Sequence, residues 1–571
     1  MTSDSSLEEK NLEEADIEKQ VQDEEQVQRL DRIRTIESDI LDPQISRKSK
    51  AFRESDAGDG TTREDQILTG TPYYICVVSL ILCMFLIALD QMITAAILTT
   101  VSDHFHDFGK MTWITAAYMM PMGCCAQVWG RLSISFGRKW IMVICIIIFE
   151  LGSLVAGVSN SMDMFIGGRA LQGVGASGIQ SIVMIIGTEI TTMDRKPILL
   201  ANLSLTFVVA SCIGPIIGGL FGTYVSWRWC FYINLCCGAL IFPFFVFTYK
   251  PKPPVGSFMD KLRTVDFLDS GLMIASIVLI LLALSFGQNG TTWRSSSVIS
   301  CFVIGGVLLI IFGIYNFGYS KFPAIPRDIV SVVKIDIGFI VFSMNYAAFL
   351  VMAQFLSIYY QNVAGHNAFH TGLSLIPMAI ATSGIAIVNG IVMKKFGIIK
   401  EVCLVGAVFL PVAIGLLTML GTKENLGWSI GFQILLGSAT GMNFQGPLMS
   451  ALIIAPKTPG SSILTTAFFN FGRSVASALF SEIAGAIYTA TLKAGIKQIS
   501  SQIQEKTYPL EAIIMNIDLL KDLNIHDRGL VEAKILSSID NTFYLALAMA
   551  LVSFAFTFFL SGKKVPKNVE A

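Results

Sequence analysis

The sequence predicts an all-α, polytopic membrane protein, and three observations carry that prediction. Hydrophobic residues occupy 53% of the 571 positions and charged residues only 15%, against roughly 25% charged in soluble domains. Mean hydropathy is +0.62, a value that would force large apolar patches onto the surface of a water-soluble chain. From Tyr73 onward the chain runs as a series of apolar stretches, each about 20 residues and so able to cross a ~30 Å hydrocarbon core as a helix.

Residues 1–70 are of another composition, rich in Glu, Asp, Gln and Lys and nearly free of aromatic side chains. Such a segment buries too little apolar area to offset its ordering entropy, so it is expected to be a disordered cytosolic tail. It has neither the basic start nor the small-residue cleavage site of a secretory signal. The apolar stretches fall at about 73–99, 111–129, 140–158, 163–188, 198–223, 229–248, 267–287, 297–318, 336–360, 371–393, 401–420, 428–454, 462–489 and 541–560, which makes fourteen.

Loop charges bear on that count. With the N-terminus in the cytosol, the inner connections hold Arg131, Arg138, Lys139, Arg195, Lys196, Lys250, Lys252, Lys261, Arg263, Lys321, Arg327, Lys334, Lys394, Lys395, Lys400 and Lys457. The short outer connections hold little beyond Lys110, Arg228, Arg294 and Lys423. An odd number of spans would scramble this positive-inside asymmetry, and an even number puts both termini in the cytosol. Asn289-Gly290-Thr291 then forms an N-glycosylation sequon on the outer side, and residues 493–538 form a long polar outer loop.

Several function classes are excluded by what the sequence lacks. A net charge of −1 gives no electrostatic reason for a nucleic-acid partner. No GxxxxGK[ST] phosphate loop, HExxH or GxSxG motif occurs, so neither an ATP-driven pump nor a common hydrolase is expected. The eleven cysteines lie mostly in apolar runs without metal or disulfide spacing and read as small hydrophobes. No metal and no cofactor is expected.

Ionisable residues inside apolar runs are costly in lipid and mark functional positions or structural ion pairs. Asp90, Glu150 and Arg169 lie in the first, third and fourth runs. Helix rise puts each about 8–12 Å from the outer end, so one mutually paired cluster is expected. It is either a proton- or substrate-handling site or a structural lock. Arg473 and Glu482 in the thirteenth run form a second set with the same two readings. Glycine patterning adds Gly168-Arg169 with Gln172-Gly173 in the fourth run, and Gly214-Pro215 with Gly218-Gly219 in the fifth. Small residues at these spacings allow close helix approach, and Pro215 should kink its helix.

On these motifs the sequence resembles the fungal fourteen-span drug:H⁺ antiporter branch of the major facilitator superfamily, over nearly everything after residue 70. Leu89-Asp90, Phe149-Glu150-Leu151-Gly152-Ser153-Leu154 and Trp227-Arg228-Trp229-Cys230-Phe231-Tyr232-Ile233-Asn234-Leu235 resemble further signatures of that branch. Gly130-Arg131-Leu132-Ser133-Ile134-Ser135-Phe136-Gly137-Arg138-Lys139 resembles the superfamily's cytosolic gate loop, with Gly130, Gly137, Arg138 and Lys139 in place. Two residues depart from the pattern: Ile134 stands where an Asp is usual, which removes the usual Asp–Arg latch, and Cys236 stands where a Pro is usual.

The resemblance implies a six-helix bundle over 71–250, two inserted helices within a linker over 251–334, and a second six-helix bundle over 335–561, ahead of a cytosolic tail at 562–571. It also implies proton coupling through Arg169 and an exchanger role for the fifth-span motif. Solute would bind near the midplane between bundles that rock in alternating access. The expected function is proton-coupled antiport of small cationic or amphipathic solutes by a monomer in the fungal plasma or vacuolar membrane. Vacuolar transport of basic amino acids is the alternative within the family, and a nutrient-sensing receptor on a transporter fold is the alternative outside it.

Overall fold

In the computed structural model the apolar runs are helices, and where each one breaks follows from local chemistry. The structure describes residues 66–107, 110–193, 195–252, 261, 265–288, 293–366, 368–422, 425–500, 502 and 524–565. All belong to one compact unit, Glu54–Lys567; the other unit, Met1–Arg53 with Asn568–Ala571, lies outside the described residues. So do the expected tail up to residue 65 and the sequon at Asn289.

The helices are α1 (Thr71–Phe105), α2 (Met111–Cys124), α3 (Ala126–Phe136), α4 (Arg138–Gly157), α5 (Met162–Glu189), α6 (Lys196–Leu220), α7 (Trp229–Thr248), α8 (Phe267–Gln288) and α9 (Ser296–Ile314). After the single turn α10 (Arg327–Val330) come α11 (Val333–Asn362), α12 (Ala368–Phe396), α13 (Lys400–Leu417), α14 (Leu426–Asn443), α15 (Gly446–Ile454), α16 (Ser461–Ile499) and α17 (Ile525–Thr557). Eleven are long and apolar enough to cross a membrane, among the described residues. The remaining three expected spans coincide with α2–α3, α6 and α14–α15.

The second and twelfth runs are therefore broken rather than continuous. Pro121 lies inside α2 and cannot donate to the preceding turn, and the helix stops at Cys125, whose N–H reaches the Pro121 carbonyl at 3.0 Å. The α14–α15 break at Phe444-Gln445 is followed by Pro447 in the first turn of α15, where its missing N–H costs nothing. Between α3 and α4, Gly137 takes φ +88°, which side chains other than glycine resist, so the gate loop turns through one glycine.

Packing groups the helices into two sets. In the first, α1 packs on α6 and α7, α4 on α5 and α7, and α2 on α5. In the second, α11 packs on α16 and α17, α12 on α14, and α13 on α14 and α17. The sets meet where α6 touches α12 and where α16 touches α2 and α3. Helices α8 and α9 pair with each other, and α8 also rests on α2 and α16.

The connection after α9 is tightly built. Asn316 exchanges hydrogen bonds with Ile325 (3.1 Å each way), Arg327 caps the Asn316 and Ser320 carbonyls at 2.9 Å, and the Ala324 N–H donates to Asp269 at 2.6 Å. Gln127 donates to the Ala324 carbonyl at 2.7 Å and Arg131 to that of Pro323 at 3.1 Å, fastening this connection to the gate helix α3.

The outer loop differs from its expected extent. Helix α16 runs on to Ile499 and α17 starts at Ile525. Leu492, Ile496 and Ile499 pack with Val531, Ile535 and Ile539 as a continued helical hairpin. Those apolar residues recur every three or four positions among polar ones, so the stretch is amphipathic rather than apolar. Residues 503–523 within it lie outside the described residues.

Candidate functional site

The densest buried polar cluster lies in the first set and is assembled from four helices. Asp90 of α1 is 1% exposed, as is Arg169 of α5. Arg169 Nη1 donates to Asp90 Oδ2 at 2.7 Å and to Gln172 Oε1 at 2.8 Å. Gln172, one turn further along α5, turns its amide nitrogen to Asp90 Oδ1 (3.1 Å) and to Ser153 Oγ of α4 (2.7 Å). Asn234 of α7 donates to the same Asp90 Oδ1 at 2.7 Å. Above the guanidinium lies the Tyr118 ring of α2, 4.3 Å from its centroid, a cation–π contact that places a fifth helix on the cluster.

The charges cancel inside this cluster, and Asp90 accepts three hydrogen bonds from protein donors. Its carboxylate is thus committed to Arg169, Gln172 and Asn234 rather than standing open as a lone acid in a cavity.

Close helix approach makes this geometry possible. Gly152 of α4 lies so near α5 that a Cβ there would stand 2.7 Å from Gln172 Cγ and 2.9 Å from its Cα. Gly152→Ala is expected to push Gln172 off Asp90 and to destabilise the protein by about 1–3 kcal/mol, the usual scale of overpacking. A thermal melt of the purified variant checks this; an unchanged midpoint would show that the approach is not tight.

The other expected residues are dispersed. Glu150 does not join the Asp90–Arg169 pair; it lies against Gly238 of α7, and neither carboxylate oxygen has a hydrogen-bond partner among the described residues. The reason is angular: Ser153, three residues on, takes the position facing α5 that depth alone had suggested for Glu150. Arg473 and Glu482 do not pair either. Glu482 accepts from Gln288 of α8, through its carbonyl at 2.6 Å and its carboxylate at 2.5 Å. Gly214 abuts α1, where a Cβ would come 3.3 Å from the Ile93 nitrogen, whereas Gly219 faces open space. Gly218 is buried on the same helix. The backbone at Pro215 is helical, and its side chain is outside the described ones.

At the gate loop, Arg138 forms a buried two-pronged pair with Glu189 at the end of α5, 2.7 and 3.0 Å. Lys139 donates to the Val246 carbonyl at 2.7 Å. Ile134 occupies the place of the usual Asp and packs with Ile185, Ile463 and Ala467, an apolar contact between the two sets. Gly130 meets Ala467 directly.

Glu189, Asn234 and Ser153 were not singled out as site residues from the sequence. Asn234 carried a signal, since it interrupts the apolar run Trp229–Thr248 as its one amide. Among the described residues no three His, Cys, Asp or Glu side chains converge as metal ligands.

A multi-helical membrane chain in two packed sets, with buried compensated charge between its helices, has the architecture of a solute transporter. The chain belongs to the Major Facilitator Superfamily, whose sequence profile matches residues 80–481. It is similar to azole resistance protein 1 of Saccharomyces cerevisiae, 30% identical, covering 90% of this chain and 92% of that one. Vacuolar basic amino acid transporter 5 of the same yeast is 31% identical, covering 87% and 93%. Efflux pump aunC of Aspergillus niger is 29% identical over 93% of each. Among solved structures, the proton:xylose symporter XylE superposes with a TM-score of 0.54 at 11% identity over 86% of this chain and 97% of that one. The human organic anion transporter MFSD10 gives 0.52 at 13% identity over 84% and 100%. The chain is a multi-pass membrane transporter of this superfamily and not an enzyme.

Proposed function

We propose that the chain is a proton-coupled antiporter of small organic solutes, cationic or amphipathic, acting as a monomer of fourteen spans with both termini in the cytosol. In this reading residues 71–250 and 335–561 are the two rocking bundles, 251–334 carries the inserted pair, and Asn289 lies on the outer side. The names of the fungal relatives support the solute class, and loop charge supports the orientation. The plasma membrane suits an exporter; the vacuolar membrane suits the reading drawn from the basic amino acid transporter among the relatives.

The observation that carries the coupling is the threefold hydrogen bonding of Asp90 within a closed cluster. A proton taken up on an Asp90 oxygen ends the ion pair with Arg169 and frees α1 from α5. Its release to the other side remakes the pair. Each cycle thus links one protonation event to a change in packing between helices, which gives proton movement a grip on the conformational equilibrium.

The test uses the full chain in proteoliposomes with an imposed pH gradient. Asp90→Asn is expected to lose gradient-driven uptake while still exchanging labelled for unlabelled solute, because the neutral amide mimics the protonated state permanently. Full pH-dependent uptake by Asp90→Asn would end this reading.

A further inference from the structure

The second set holds a buried guanidinium that is treated quite differently from the others. Arg138 and Arg169 are each matched to a carboxylate at 2.7 Å. Arg473 of α16 is 2% exposed, yet its Nε and Nη2 have no hydrogen-bond partner and no carboxylate pairs with it among the described residues. Its guanidinium lies over the Tyr346 ring of α11, 4.6 Å from the centroid. Both side-chain polar atoms of Asn470, one turn earlier and 1% exposed, are likewise without partners. So is Ser343 Oγ of α11.

A buried charge with unused donors is costly, and the cost falls when an anion takes up those donors. The place of Arg473 in the fold says which anion can reach it. Residues Ala467, Asn470 and Ser474 follow one face of α16 at helical spacing. Ala467 meets Gly130 of α3, and the Ser474 carbonyl stands 3.4 Å from where a Cβ on Gly123 of α2 would lie. This face therefore lines the seam between the two sets, and Arg473 flanks it on the Tyr346 side. Helix rise puts Arg473 about 18 Å into α16 from Ser461, close to mid-membrane. Glu482, the other charge expected in this run, is tied to Gln288 and leaves Arg473 uncompensated.

We propose that Arg473, with Asn470 beside it, is the subsite for an acidic group on the transported solute, so that the solute carries a carboxylate in addition to any cationic or amphipathic portion. The assignment rests on the reading above that solute crosses between the two bundles. The guanidinium fork matches a carboxylate with two parallel hydrogen bonds. Asn470 supplies a further donor to the acid and an acceptor for a neighbouring ammonium. Tyr346 holds the guanidinium in place and shields it on one side.

The test compares probes that differ only in the acid: arginine with agmatine, lysine with cadaverine, and rhodamine B with its ethyl ester. Each is offered to the wild-type full chain in proteoliposomes. For any pair carried, the acid is expected to have a kcat/KM at least about tenfold higher than its partner, the scale of a charge-assisted hydrogen-bonded contact. Arg473→Gln should bring the two within about twofold, and Arg473→Lys, which keeps charge but loses the fork, should fall between. Should Arg473→Gln fail to give a monodisperse protein, Asn470→Ala keeps every charge and is expected to reduce the preference at least threefold. Flux without preference for the acid, or preference retained in these variants, overturns the inference and leaves the antiporter reading standing. Absence of flux for every probe overturns the solute class in both.

Discussion

Arg169→Met is expected to cost about 3–5 kcal/mol of stability and to abolish gradient-driven transport, because it strands the Asp90 carboxylate in a site closed to water. Asn234 and Gln172 would still donate to Asp90, but neutral amides replace only part of what the guanidinium supplies. Asp90→Asn strands the opposite charge, with the Tyr118 ring, Gln172 and the Ile114 carbonyl among the remaining partners of Arg169. The double variant Asp90→Asn with Arg169→Met contains no buried charge at this site. It should therefore be more stable than Arg169→Met alone, a non-additivity of about 1–3 kcal/mol, since the two residues are in direct contact. Transport driven by a pH gradient should be absent from all three. Melting midpoints in one detergent, set beside uptake into vesicles, separate the two effects. If the double variant lost the sum of the single losses, the pair would not be acting as a unit. If it kept pH-driven uptake, the proton would be carried elsewhere.

The sequence made the helices legible because a helix in lipid must be long and apolar, and hydropathy reports both. It made Asp90, Arg169 and Gln172 legible because each is polar in an apolar run. What it did not make legible was direction around the helix axis. Glu150 and Asp90 share a depth, yet Glu150 lies against Gly238 while Ser153 turns to Gln172. Depth comes from rise per residue, whereas contact needs the rotation of each helix about its axis, which packing decides. Arg473 and Glu482 fail to meet for a different reason, one the spacing itself contains: they are nine positions apart on one helix, about 13.5 Å of rise. The breaks at Cys125 and Phe444-Gln445 had proline signals beside them. The continuation of α16 and α17 did not stand out, since its apolar residues are diluted by polar ones.

The gate shows the same division between residue and partner. Loss of the usual Asp at position 134 was legible, and with it the need for other contacts. Which contacts replace it depends on elements far apart in the chain. Two of those present differ in kind: the Arg138–Glu189 pair ties α4 to α5 within one set, and Ile134 with Ile185, Ile463 and Ala467 closes one set on the other. In the proposed antiporter cycle the second, which lies between the sets, is the contact that would open at this end.

Gly130→Ala is accordingly expected to lower transport about tenfold to a hundredfold while leaving the melting midpoint unchanged or slightly higher. The new Cβ would overlap that of Ala467 across the seam, and overpacking of this kind costs about 1–3 kcal/mol. Here the overlap exists only when the two sets are closed at this end, so the cost shifts the balance between conformations and not that between folded and unfolded. Alanine itself favours helix over glycine by about 1 kcal/mol, which offsets any loss of fold stability. A cysteine introduced at Ile463, beneath the contact, should react faster with a membrane-impermeant maleimide in the Gly130→Ala background than with Gly130 intact. The compensating variant Gly130→Ala with Ala467→Gly moves the methyl group from one side of the seam to the other. It should restore both transport and the protection of the introduced cysteine. If the swap recovered neither, the contact between α3 and α16 would be incidental to closure, and the gate would have to be sought along α6 and α12, where the two sets also meet.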